Sequence, residues 1–173
     1  MSTVPKTLPH DALQFLAANH KAMLAMFRDY EQHKKSAMAV DKGKEALRLC
    51  HRLSIHCAIK EEHFYPAVAA ALGKKAEAVL TEAQVQIGAM RGFMATIQHT
   101  SSSDPSFDPA VKELGDAARA HFLIEEKNLF PAVRHAEFDL AGAGERLATR
   151  QMQLSTEPAG KSDIQEARRV LGR

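Results

Sequence analysis

His56-Cys-Ala-Ile-Lys-Glu-Glu-His-Phe-Tyr-Pro-Ala-Val68 recurs without gaps, 65 residues later, as His121-Phe-Leu-Ile-Glu-Glu-Lys-Asn-Leu-Phe-Pro-Ala-Val133, with six of thirteen positions identical. Agreement of that order in a short window exceeds chance. It predicts two equivalent helices, each with a histidine in mid-seam and a proline ten residues further on. Apolar residues at steps of three and four surround both copies. Ala46, Leu49 and Leu53 lead into the first, and Val111, Leu114 and Ala118 into the second.

Two more helices follow from the same periodicity. Asp11 is placed to cap one that carries Leu13, Leu16, His20, Met23 and Phe27, closed by the polar stretch at 32–43. Residues 44–71 form the second, ended by Gly73. Residues 74–98 form the third, with Ala76, Leu80, Ala83, Ile87, Met90, Met94 and Ile97 on its seam. A Ser-, Asp- and Pro-rich loop at 100–109 separates it from a fourth helix over 109–135. Residues 138–154 make a short last helix, and 155–173 a polar tail that is frayed or loosely docked. Pro66 and Pro131 are expected to kink or tighten the last turns of their helices. No segment alternates with period two, so the predicted class is all-α, an up-down-up-down four-helix bundle over 1–154.

Composition narrows the function. The 173 residues carry 23 Lys+Arg against 21 Asp+Glu, a formal charge of +2 without a basic block, which gives no reason to expect nucleic acid as partner. No uncharged run approaches the ~18 apolar residues of a membrane span. Residues 1–10 lack the basic-then-apolar order of a secretory leader. Cys50 and Cys57 lie seven apart on one helix, about 10 Å along its axis, too far for a disulfide. A cytoplasmic setting is the expectation. Met23, Met26, Met90 and Met94 read as core filler, and His10, His33, His51, His99 and His135 as scattered surface residues. No Cys-x-x-Cys-His supports haem, and no Ser/His/Asp order or phosphate-binding glycine loop stands out.

The seam itself is unusual. His20 on the first helix, His56, Lys60 and His63 on the second, and His121, Glu125 and Asn128 on the fourth occupy positions that a bundle core fills with Leu or Ala. An unpaired polar group there costs about 1–3 kcal/mol. In antiparallel rods the three histidines His20, His56 and His121 fall at one height. Convergent imidazoles and a carboxylate are what a divalent transition metal needs. A hydrogen-bonded polar core is the other reading of the same residues.

Over about residues 11–154 the chain resembles the hemerythrin-like HHE cation-binding domain family. The resemblance rests on Asp11-Ala-Leu with Asn19-His20, His56 with Glu61-Glu62-His-Phe-Tyr-Pro66, His121 with Glu125-Glu126 and Leu-Phe-Pro131, and Gly144-Glu-Arg-Leu. It implies a four-helix bundle around a non-haem di-iron site. It also implies a small diatomic ligand, oxygen or nitric oxide, with roles in oxygen binding, redox sensing, iron holding or nitric-oxide handling. Carried over residue by residue, the ligands are His20, His56, His121 and Glu125. Two further positions depart: Lys60 stands where the family places a bridging glutamate, and Ala83 where it places a helix-three histidine. The expected site is therefore reduced to one iron, held by His20, His56 and Glu125 with His121 nearby and His63 a possible addition. Lys60 would take the charge position of the second ion. The alternative is a metal-free bundle with a Lys60–Glu125–histidine polar core in a structural or interaction role. Binding without turnover is expected ahead of enzymatic activity.

Overall fold

A computed structural model describes residues 11–36 and 38–156, so the expectations for residues 1–10 and for most of the tail lie outside the described residues. Helix α1 (Ala12–His33) starts where Asp11 accepts the backbone N–H of Gln14 on its carboxylate at 2.8 Å, satisfying one of the unpaired N–H groups of the first turn. The second rod is α2 (Ala39–Ile59), a π turn (Lys60–Phe64) and α3 (Tyr65–Leu72). It begins five residues earlier than the periodicity suggests. It ends at Gly73, whose φ of 56° suits glycine. The third rod is α4 (Lys74–His99). The fourth is α5 (Phe107–Ile124), a second π turn (Glu125–Leu129) and α6 (Phe130–Arg134), and α7 (Leu140–Thr156) is the last helix of the described residues. Pro109 sits in the first turn of α5, where the N–H it lacks has no partner anyway. No strand occurs among the described residues. No described helix is long and apolar enough to cross a membrane.

Each rod packs on its neighbours in chain order, α1 on α2, α2 on α4 and α4 on α5, and α5 closes back on α1. Helix α7 covers the groove between α1 and α2 and touches the first π turn. Its approach is close. A Cβ on Gly144 would come within 3.0 Å of the Ala12 nitrogen, which explains a glycine at that crossing.

The two copies of the internal repeat do build equivalent structures, down to the position of the π turn. Each wide turn starts four residues after the repeat's histidine, at Lys60 and at Glu125, and closes as the N–H of Tyr65 or Phe130 donates to that first residue's carbonyl. The prolines are the local cause. Pro66 and Pro131 have no N–H to give, and each ring collides with the carbonyl four residues back in an α-helix. A π turn widens the backbone there instead of tightening it. The extra residue rotates everything beyond it. Phe64, Tyr65 and Val68 face inward where the unbroken period puts His63 and Ala67, and Leu129, Phe130 and Val133 replace Asn128 and Ala132. His63, expected inward, is therefore a correction. It lies at the surface, with Nε2 3.8 Å from a Glu62 carboxylate oxygen.

Candidate metal centre

Among the described residues, the histidines and charged side chains buried in the bundle are His20, His56, Lys60, His121 and Glu125, each 2% exposed or less. They come from α1, α2, α5 and the first residues of the two π turns. A π turn is a common device at functional sites because it redirects side chains within a helix. Here both turns direct their first side chain into the same interior space.

His20 is the best supported of them. Its ring stacks on Phe122 at 4.0 Å between centroids and on Phe130 at 5.8 Å, and meets His56 edge-on at 5.0 Å. Nδ1 is 2.8 Å from a Glu126 carboxylate oxygen. A carboxylate only accepts, so Nδ1 carries the proton and Nε2 keeps its lone pair. That nitrogen sits 3.3 Å from Glu125 Oε2, yet without hydrogen-bond geometry. His56 has neither ring nitrogen hydrogen-bonded. Burial, followed by the nearby Lys60 ammonium, holds the His56 imidazole well below the usual histidine range, in the neutral form that ligates metals.

One nitrogen from each of His20 and His56 and one oxygen of Glu125 lie within 4.8 Å of one another. Donors about 2.1 Å from a tetrahedral ion lie about 3.4 Å apart, so the cluster needs to contract by up to about 1.4 Å to close on one cation. Two imidazoles whose nitrogens (Nε2 of His20, both of His56) have no hydrogen-bond partner among the described residues, with an ionised carboxylate beside them, offer a donor set that suits a single divalent transition metal.

The place of a second ion does not fit. Lys60 Nζ, fully buried, donates to Glu125 Oε2 at 2.8 Å and lies 2.8 Å from His121 Nε2. Nδ1 of His121 is 2.9 Å from Gln86 Oε1. The ring therefore donates through Nδ1 and accepts through Nε2, and both of its nitrogens are engaged. Burial and Lys60 push its pKa down to about 3. Glu125 Oε1 accepts the Tyr65 hydroxyl at 2.6 Å. Burial alone would raise the Glu125 pKa, but Lys60 and the flanking histidines outweigh it and keep the carboxylate ionised. Tyr65 moves the other way. Its burial and the Glu125 charge hold the phenol protonated, so it stays a donor.

The structure thus brings together His20, His56 and Glu125, keeps His121 beside them on the Lys60 side, and leaves His63 outside. Glu61 is also remote. Its carboxylate takes both guanidinium nitrogens of Arg91, at 3.0 and 2.5 Å. Cys57 next to His56 is an inert thiol, pushed up to about 11 by burial. Three participants escaped the sequence reading. Gln86 follows Ala83 by three residues on one face of α4, a spacing that marks it in retrospect. Tyr65 is turned inward only by the π turn. Glu126, 44% exposed, reads as a surface acid until α1 is seen to bring His20 to it.

No curated protein matches the sequence. A solved structure described as a hemerythrin HHE cation binding domain-containing protein from Mycobacterium kansasii superposes with a TM-score of 0.70 over 94% of this chain and 94% of its own. Identity to it is 20%, so that likeness concerns the fold. Residues 11–147 match the Hemerythrin HHE cation binding domain, a span that takes in all four rods and every member of the buried polar cluster, and the chain belongs to that family.

Proposed function

We propose that this protein binds one divalent transition-metal cation, iron by preference, through His20, His56 and Glu125, and that Lys60 replaces a second cation. The observation that carries the reading is the pair of buried imidazoles, His20 through Nε2 and His56 through both nitrogens, without a hydrogen-bond partner among the described residues. Glu126 orients His20 through Nδ1, as carboxylates commonly orient metal-bound histidines. Phe122 and Phe130 exclude water from one side of the cluster. Lys60 donates to one Glu125 oxygen and Tyr65 to the other, which keeps the carboxylate ionised and fixed in orientation. Iron held there would supply open coordination positions and one-electron chemistry. Those properties suit sensing or handling of oxygen, nitric oxide or redox state in the cytoplasm, without turnover.

Metal analysis tests this on the purified and Fe(II)-reconstituted protein beside a Lys60→Glu/Ala83→His variant. About one ion is expected in the parent, about two in the double variant, and none in His56→Ala. A second reading, a metal-free polar core with a structural or interaction role, is favoured by one fact: Lys60 already neutralises Glu125 without any cation. Equal and negligible uptake by parent and double variant would establish it. Steady-state assays with peroxide and nitric oxide decide whether turnover occurs.

A further inference from the structure

Tyr65 breaks the symmetry of the internal repeat. Its counterpart is Phe130, which closes the second π turn as Tyr65 closes the first, and both rings are buried. Packing therefore requires a ring at that place but no hydroxyl. The Tyr65 hydroxyl donates to Glu125 Oε1 at 2.6 Å, while Lys60 Nζ donates to Oε2 at 2.8 Å. A contact that short between a hydroxyl and a carboxylate is charge-assisted, and it sets an acceptor directly against the phenol proton. The chain holds two tyrosines and no tryptophan. The other, Tyr30, donates to Asp108 and lies ten residues beyond His20 on α1, about 15 Å along the axis.

Lys60 leaves room for one cation. A single Fe(II) yields one electron on becoming Fe(III), whereas reducing a peroxide to water takes two. A centre of that kind is one electron short. Tyr65 is the oxidisable ring beside it, on the Lys60 side of Glu125, with Lys60 Nζ 5.6 Å from its centroid. At 4% exposure the ring is also shielded from solvent.

We propose that Tyr65 is a one-electron donor of the buried cluster: when the iron-loaded protein meets hydrogen peroxide, the phenol gives up an electron, passes its proton to Glu125 Oε1 and remains as a buried phenoxyl radical. Iron and Tyr65 supply one electron each, the O–O bond breaks, and two protons from solvent complete two waters. The Lys60 ammonium opposes a positive charge on the ring, so the electron leaves only as the proton does, and the radical left behind is neutral. The electron count rests on the single-cation reading, whereas the phenol–carboxylate pair exists with or without a cation. One encounter with peroxide consumes both electrons, which suits sensing rather than turnover.

The test uses the full chain carrying Tyr30→Phe, which leaves Tyr65 as its only tyrosine and Asp108 still paired with Lys42. Iron content is measured first. The Fe(II) protein is then mixed anaerobically with equimolar hydrogen peroxide and frozen for electron paramagnetic resonance. About one phenoxyl radical per bound iron is expected, with a signal that narrows when the tyrosine is ring-deuterated. In the Tyr65→Phe variant of the parent, whose new ring has Phe130 as precedent, the signal should be lost. A second arm oxidises the chelated Tyr30→Phe protein with a photogenerated ruthenium(III) complex. Phenoxyl should form there at a rate independent of buffer concentration, because Glu125 is the base. The proposal is overturned if bound iron is oxidised without a phenoxyl, or if Tyr65→Phe keeps the parent's signal. It is overturned equally if the chelated protein forms no phenoxyl, or forms it at a rate that rises with buffer. No iron uptake together with a buffer-independent phenoxyl in the chelated arm removes the cation reading alone and keeps Tyr65 as the donor.

Discussion

Replacing Lys60 by methionine keeps the stem that packs in the core and removes only the charge. Lys60 Nζ is fully buried, and its removal strips Glu125 Oε2 and His121 Nε2 of partners that each lie 2.8 Å away. Stranding one member of a buried ion pair costs about 3–5 kcal/mol. Each kcal/mol shifts the melting temperature of a chain this size by about 2–4 °C, so chelated Lys60→Met should unfold roughly 6–20 °C below the parent. A cation then becomes the replacement positive charge. At a thousand-fold excess over Kd, binding adds about 4 kcal/mol of stability. Melting followed by circular dichroism, with chelator and with Fe(II) under anaerobic conditions, reads both effects. The variant should gain more from the cation than the parent does, because Lys60 no longer competes for Glu125. A Lys60→Met/Glu125→Leu chain, with both charges gone, should recover most of the loss, since replacing a whole buried pair is often near neutral. If chelated Lys60→Met melts within about 2 °C of the parent, Lys60 is not holding the carboxylate and the argument for a substituted second ion is wrong.

Acid should destabilise the cation-free protein well before carboxylates titrate. His56 is held well below the ordinary histidine value of about 6.5 and His121 at about 3, so the unfolded chain takes up protons that the folded one refuses. Their contribution is complete above about pH 6.5 and drains below it by up to about 1.4 kcal/mol per pH unit for each histidine. Glu125, also depressed, adds its loss at lower pH. Urea midpoints that stay level between pH 7 and 5 would contradict this. Glu126→Ala should weaken cation affinity about 10–100-fold by releasing His20, whereas His63→Ala should leave it unchanged, both read by chelator competition. An equal effect of the two would mean that the ligand set is misassigned. Gly144→Ala should cost about 1–3 kcal/mol, because the contacts at 3.0 Å are backbone atoms of the α1 start that cannot rotate away. A melting temperature matching the parent's would show that α7 can shift freely there.

The internal repeat, the helix seams and the Asp11 cap are written in the chain because apolar spacing alone decides which face of a helix avoids water. His20, His56, Lys60, His121 and Glu125 stand on those seams, and their convergence follows from antiparallel rods of known rise. The pattern fails at His63 and Asn128, since extrapolating a period assumes an unbroken α-helix. Pro66 and Pro131 each insert one extra residue's worth of turn, and nothing in the apolar spacing records it. Which nitrogen meets which partner is likewise beyond any single helix. Gln86 reaches His121 from α4, Glu126 in the second π turn reaches His20 on α1, and Lys60 meets Glu125 only because two π turns open on one space. Periodicity is a property of one segment and survives in its sequence, whereas the pairing of donors with acceptors depends on distances between segments far apart in the chain. Those distances exist only once the rods have packed.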